Sequence, residues 1–102
     1  YSIINGYIIG PDVNLNDADL NGADLASTSL IGVKSGSITG LPKLSSAYSI
    51  INGYIVGPGV DLTDADLTGS DLSGLDLTDV VLTGATLNGV TSGSIIGTPL
   101  LS

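Results

Sequence analysis

The sequence contains no cysteine, and this absence excludes disulfide bonds, thiolate metal sites and cysteine nucleophiles. Histidine, arginine and glutamate are also missing, so the usual general bases, nucleophile partners and oxyanion-stabilising groups are absent together. We therefore predict that the protein is not an enzyme. We also predict that it has no catalytic, cofactor-binding or metal-binding residues and needs no cofactor.

Large side chains are scarce. Phe, Trp and Met do not occur, and the only aromatic residues are Tyr1, Tyr7, Tyr48 and Tyr54. The apolar content is almost entirely Leu, Ile, Val and Ala, whereas a round globule of 102 residues needs larger groups to fill its centre. The composition favours a narrow, layered core. The tyrosines recur together, which indicates either a lateral contact surface or packing beside a loop.

Positive charge is nearly absent, since Lys34 and Lys43 stand against ten aspartates and the net charge is −8. A phosphate backbone would be repelled, so we expect no binding to nucleic acid. No apolar run approaches the length of a membrane span, so we expect no membrane insertion. The chain begins at Tyr1 without an initiator Met or a signal peptide, which indicates a processed product or a piece of a longer protein.

Two nested repeats organise the sequence. The long repeat begins with YSIINGYI at Tyr1 and again at Tyr48, and it closes with SGSI at residues 35–38 and 92–95. The short repeat has five residues and runs through 13–32 and 60–89. Leucine occupies the same position in every pentapeptide of the second run, at residues 62, 67, 72, 77, 82 and 87. We therefore divide the chain into long units at 1–47 and 48–102, within one continuous solenoid.

A small or aliphatic residue precedes each leucine by two positions, as Ala65 precedes Leu67. Two apolar positions separated by one polar position indicate a short strand with both side chains on one face. Gly, Asp, Asn and Ser follow each strand, which is turn chemistry. A five-residue period thus predicts a corner after every short strand, so that the chain coils and each leucine points inward.

The pentapeptides ADLNG at 18–22, ADLAS at 23–27 and ADLTG at 65–69 resemble the pentapeptide-repeat family, whose motif is roughly A(D/N)LXX. The motif recurs in phase through both runs. The resemblance implies an all-β fold, a right-handed quadrilateral β-helix with about 20 residues in each turn. Residues twenty apart should then stack, with Asp61 against Val81 and Asp66 against Thr86, which avoids columns of like charge.

Three features lie outside the strict motif. We expect a bulging loop at about residues 38–47, where ITGLP and KLSSA depart from the pattern. The Asn-Gly pairs at 5–6, 52–53 and 88–89 are compatible with hairpin turns or with solenoid corners, and the five-residue phase favours corners. The outward aspartates and threonines could bind calcium, act as acid and base, or form an ice-binding array. A solvated wall is the simpler interpretation because they divide among several faces.

We predict that the protein is a structural repeat scaffold, a segment of a long secreted or cell-surface protein that forms a fibre or filament. Its open ends should associate end to end, because soluble solenoids otherwise need polar caps. The alternative is an acidic protein-binding module, since some members of the family resemble duplex DNA and bind DNA gyrase. Those members are longer and often carry Phe in the central position. We expect an extracellular or cell-surface location, with the cytoplasm as the alternative.

Overall fold

The computed structural model describes residues 1–101, and its regular strands form two short antiparallel hairpins. Strand β1 (Ser2–Ile4) pairs with β2 (Tyr7–Ile9), and β3 (Ser49–Ile51) pairs with β4 (Tyr54–Val56). An Asn-Gly pair joins the strands of each hairpin, with φ values of 52° and 82° in the first and 52° and 81° in the second. Two consecutive residues with positive φ are the type I′ turn, whose twist matches that of a hairpin.

The preference for solenoid corners at the Asn-Gly pairs is therefore wrong at 5–6 and 52–53. Both residues of each pair adopt positive φ, which closes a two-residue hairpin instead of bending a coil. At Asn88 and Gly89 only the glycine has positive φ, and Val90 N–H donates to the carbonyl of Leu87 at 3.2 Å. That pair forms the predicted corner.

Outside the hairpins, single residues pair in parallel with residues one turn later. The predicted pairing is confirmed, and four bridges make up one turn: Asp61 with Val81, Asp66 with Thr86, Asp71 with Thr91 and Asp76 with Ile96. Backbone hydrogen bonds hold each bridge, as where Leu62 N–H donates to Val81 O at 2.8 Å. The fold is all-β and of the β-helix type.

One column of these bridges crosses both long units. It runs through Asn14, Lys34, Asp61, Val81 and Leu100, each paired in parallel with the next. The step from Lys34 to Asp61 spans more residues than the others because the hairpin β3–β4 is inserted there. The column thus joins residues of segment 1–47 to residues of segment 48–102 in one series of parallel bridges.

Each corner of the two pentapeptide runs is a four-residue turn that begins at a leucine. The carbonyl of Leu67 accepts from Ser70 N–H at 3.0 Å. Gly69, the third residue of this turn, has φ of 73°. At the preceding corner this position is occupied by Asp64, with φ of 61°. Glycine and aspartate tolerate the left-handed region better than most residues, which explains why one or the other occupies the fifth position in nine of the ten pentapeptides.

The core is a stack of leucines with small residues between them, as predicted. Leu20, Leu62 and Leu67 are buried, and so are Ala18 and Ala65, which precede two of them by two positions. Each buried leucine side chain contributes about 1.5–3 kcal/mol relative to exposure. The molecule measures 34 × 21 × 21 Å, a short rod with a narrow core.

The segment 38–47, for which the sequence predicts a bulging loop, pairs with the preceding turn at two points. Thr39 bridges to Asp19 and Lys43 bridges to Asp24, while Leu41 between them is exposed. A hairpin opens each of the long units predicted at 1–47 and 48–102, and the last residue, Ser102, lies outside the described residues. No helix in residues 1–101 has the length and apolarity needed to cross a membrane.

Candidate functional site: the junction between repeat units

The hairpin that opens each unit is held by its first tyrosine. The Tyr48 ring packs over Gly57, and its hydroxyl donates to the carbonyl of Pro58 at 2.6 Å. Burial raises the pKa of Tyr48 above its usual value. Tyr1 makes the equivalent hydrogen bond to Pro11 O at 3.0 Å. A side chain on Gly57 would collide with the ring, which explains the glycine at this position.

The second tyrosine of each hairpin contacts the wall of the coil. The hydroxyl of Tyr54 accepts from Asp66 N–H at 3.0 Å, and that of Tyr7 accepts from Asp19 N–H at 3.1 Å. These bonds stay within the tyrosine's own unit. The second tyrosine of each hairpin therefore packs against the coil and not beside the loop at 38–47, and a lateral contact surface stays a prediction.

The two units meet at a junction. We define the opening segments as residues 1–15 and 48–62, and the closing segments as 30–44 and 87–101. At the junction, closing segment 30–44 contacts opening segment 48–62. Asp61 N–H donates to Val33 O at 2.9 Å, and Gly32 N–H donates to Gly59 O at 2.7 Å. The ladder of the coil therefore passes from one unit to the next without interruption.

Ser35, in the SGSI motif, connects the closing segment to the outer side of the hairpin. Its hydroxyl oxygen accepts from Ile55 N–H at 2.8 Å in a buried contact. Ile38 N–H donates to Gly53 O at 3.0 Å beside it. Without the serine oxygen the Ile55 N–H would be buried without a partner, which costs free energy. The SGSI motif thus positions a hydrogen-bond acceptor that the hairpin needs.

The two ends of the molecule expose the same surfaces that the junction buries. Ile55 is 0% exposed at the junction, whereas Ile8, its equivalent in the first hairpin, is 57% exposed. Leu30 is 2% exposed and its equivalent Leu87 is 37% exposed. Ser92, the equivalent of Ser35, is also exposed. The first opening segment and the second closing segment are therefore two unpaired halves of a junction.

A hollow of about 330 Å³ lies within the second of these end surfaces. It is lined by leucines of the last two turns, Leu72, Leu77, Leu82 and Leu87, and by Leu101. Ile96, Leu100 and Leu101, all near the end of the chain, are also exposed. An apolar surface of this kind is normally covered in soluble proteins.

A second, polar cleft of about 300 Å³ lies along the junction, with Lys34, Asp17, Asp64 and Tyr54 among its lining residues. In the part of the chain that the structure describes, no group of three or more His, Cys, Asp or Glu side chains could hold a metal ion. The absence of a metal site stays a prediction from the sequence. The cleft offers no paired acid and base chemistry beyond isolated carboxylates.

The outward aspartates stabilise the corners. The Asp66 carboxylate accepts from Thr68 N–H at 3.0 Å and also from its hydroxyl, and both bonds hold the pKa of Asp66 below its usual value. The pKa is lowered in the same way at Asp61, Asp71 and Asp76. These carboxylates lie on successive sides of the turn, each bonded to its own corner, so they do not converge on a common ligand.

Comparison with protein families decides what the coil is. The family model described as pentapeptide repeats matches residues 12–34 and 59–91 in eight copies, more than half of the chain. The chain belongs to the pentapeptide-repeat family. The match supports a repeat scaffold and indicates no catalytic family. Comparison with curated proteins and with solved structures gives no match.

The junction elements lie largely outside the pentapeptide matches. Both hairpins and both SGSI motifs fall before, between or after the matched ranges. In the sequence these motifs mark the boundaries of the long repeat, and the pattern alone gives them no role. The signal in the sequence was the order of these motifs. The SGSI at 35–38 is followed by the YSIINGYI that begins at Tyr48, and the two motifs bond to each other.

Proposed function

We propose that the protein is a non-enzymatic structural scaffold, a right-handed quadrilateral β-helix in which units 1–47 and 48–102 form one continuous solenoid. The four parallel bridges of the turn that begins at Asp61 support the four-sided coil, and membership of the pentapeptide-repeat family supports the scaffold role. The carboxylates and hydroxyls of the wall are used in its own corners, which also favours a structural role over a chemical one.

We further propose that the scaffold associates end to end and forms a filament. The observation that carries this proposal is the junction, which already exists once inside the chain and has both of its halves exposed at the ends. The partner is a second copy of the same chain. A head-to-tail contact of this kind uses different surfaces on the two partners and does not close, so it propagates as a fibre.

The second candidate is an acidic module that mimics duplex DNA and binds gyrase. The net charge of −8 favours it. A regular mimic of the phosphate backbone needs aligned negative charges, whereas Asp61 stacks against Val81 and Asp66 against Thr86. The pairing of the wall therefore favours the structural scaffold.

For this role we propose a location outside the cell or at its surface. The chain has no cysteine that an oxidising compartment would alter, and its acidic wall suits exposure to solvent. The cytoplasm remains the alternative location.

Sedimentation velocity of the 102-residue chain over a range of concentrations tests end-to-end association. We expect the sedimentation coefficient to rise with concentration, and we expect Ile8→Lys to reduce this rise strongly because it places a charge in the end surface. Leu41→Lys is the matched control, since Leu41 is exposed but lies in neither of the end segments 1–15 and 87–101, and we expect it to leave association unchanged. A single 10.1 kDa species at every concentration would overturn the proposal.

A further inference from the structure

We infer that the ends of two copies meet in a single register, with closing segment 87–101 of one copy on opening segment 1–15 of the next. Thr91 then lies beside Asn14, and Asn88 lies beside Asp12. This inference rests on the proposed end-to-end association and names its contact. Two pairs of residues support this register. In each pair, both residues of the internal junction are replaced at the ends, and the two replacements are compatible with each other.

The first pair concerns charge. At the internal junction Lys34 and Asp61 are paired in parallel, and Lys34 contributes to lowering the pKa of that carboxyl. The residues equivalent to Lys34 and Asp61 at the ends are Thr91 and Asn14, and both are uncharged. Each junction is therefore balanced in itself.

The second pair concerns volume. Ile31 leans over Gly59 at the internal junction, and a Cβ atom on Gly59 would lie 2.5 Å from the Cδ1 atom of Ile31. The equivalents at the ends are Asn88 and Asp12. Asp12 carries the side chain that Gly59 lacks, and Asn88 is smaller than the isoleucine that it replaces. The internal junction thus combines a large residue with glycine, whereas the contact between two copies combines two residues of intermediate size, Asn88 and Asp12.

The backbone of the two opening segments allows this exchange. Gly59 has φ of 77° and Asp12 has φ of 65°, so the aspartate already adopts the conformation that the contact needs. Aspartate tolerates this region better than most residues. The amide of Asn88 can donate a hydrogen bond to the Asp12 carboxylate, which an isoleucine cannot do.

The remaining contacts of the junction are preserved in kind. Ser92 replaces Ser35 as the acceptor for the N–H of Ile8, and Gly93 replaces Gly36, which the Tyr54 ring approaches at the internal junction. Opposite Gly93 the next copy presents Tyr7. A filament in this register therefore contains two kinds of junction in alternation. The junction within each copy pairs Lys34 with Asp61, and the junction between copies pairs Thr91 with Asn14. All copies have the same orientation along the filament.

Disulfide cross-linking tests this register directly, because the chain has no cysteine of its own. We expect the double variant Asn14→Cys with Thr91→Cys, under oxidised glutathione, to form a ladder of linked chains on a non-reducing gel. The variant Lys34→Cys with Asp61→Cys is the positive control, since the same geometry lies within one chain and should give an internal bond. Neighbouring strands bring such positions within disulfide reach.

The offset variant Asn14→Cys with Thr86→Cys is the negative control, because Thr86 is exposed but lies one side of the coil away. We expect about tenfold more interchain linkage from the 14 and 91 pair than from the offset pair, since only the former is within disulfide reach. Equal linkage from both pairs, with association still seen by sedimentation, would overturn the register and leave the proposed end-to-end association standing. No association at all would overturn both the register and the proposed end-to-end association.

Discussion

At the scale of single residues, the fold depends on one leucine in each pentapeptide. Leu67 is fully buried between the turns, while the adjacent Asp66 points outward and bonds to its own corner. Neighbouring residues thus differ completely in what they contribute. The leucine supplies apolar burial, and the aspartate supplies a local turn.

Replacement of Leu67 by Asp should destabilise the protein far more than replacement of Asp66 by Asn. The first change buries a charge without a partner and should cost about 3 kcal/mol or more in the free energy of unfolding. Asp66→Asn retains an oxygen that can accept from Thr68 N–H, so we expect little change. Thermal unfolding followed by circular dichroism measures both, and equal shifts in Tm would contradict the inward position of the leucines.

This level of the structure could be predicted from the sequence. The five-residue period places Leu62 and Leu67 on the same side of successive short strands, and no other regular structure has that period. The partners of the outward residues followed from the resemblance to the pentapeptide-repeat family, which implies about 20 residues in each turn and therefore that Asp61 meets Val81. The hydrogen bond from the Thr68 hydroxyl to the Asp66 carboxylate could not be predicted, since it depends on a side-chain rotamer that the sequence pattern does not specify.

At the scale of elements, the hairpins could not be derived from the same pattern. Asn-Gly suits a type I′ hairpin turn, but glycine after a polar residue also suits a corner of the coil, as at Gly69 and Gly89. The YSIIN and GYIVG pentapeptides keep the repeat phase, so the period does not separate the two structures. The outcome depends on whether one residue or two adopt positive φ.

The role of the closing segment also could not be predicted from the sequence and was revealed by the structure. The role of Ser35 depends on a contact with Ile55, which is twenty residues away in the next unit. Serine alone in a glycine-rich stretch indicates only a turn. Burial of Ile38 and the bonds of Gly32 and Gly59 then define the junction, which makes this short segment the most informative element of the long repeat.

Replacement of Ser35 by Ala should destabilise the protein by about 1–3 kcal/mol, because the buried N–H of Ile55 loses its acceptor. Ser92→Ala is a matched control, since Ser92 is the equivalent serine but is exposed. Chemical denaturation at low protein concentration, where the ends are not paired, measures both variants. Equal stability of Ser35→Ala and the parent chain would show that the serine does not support the junction.

At the scale of the whole molecule, the chain is a short rod whose core is open at its ends. Its longest dimension is 34 Å and its cross-section is 21 Å wide. The stack of turns adds about 4.8 Å for each turn along the axis. Growth by further units should therefore change the length of the rod while its width stays the same.

Small-angle X-ray scattering as a function of concentration tests this account most directly, because it reports length and cross-section separately. We predict that the overall radius of gyration rises above the 12.6 Å of the single chain while the radius of gyration of the cross-section stays constant. End-to-end stacking is the arrangement that produces this combination. A cross-section that widens with concentration, or an overall radius that stays at 12.6 Å throughout, would contradict the account.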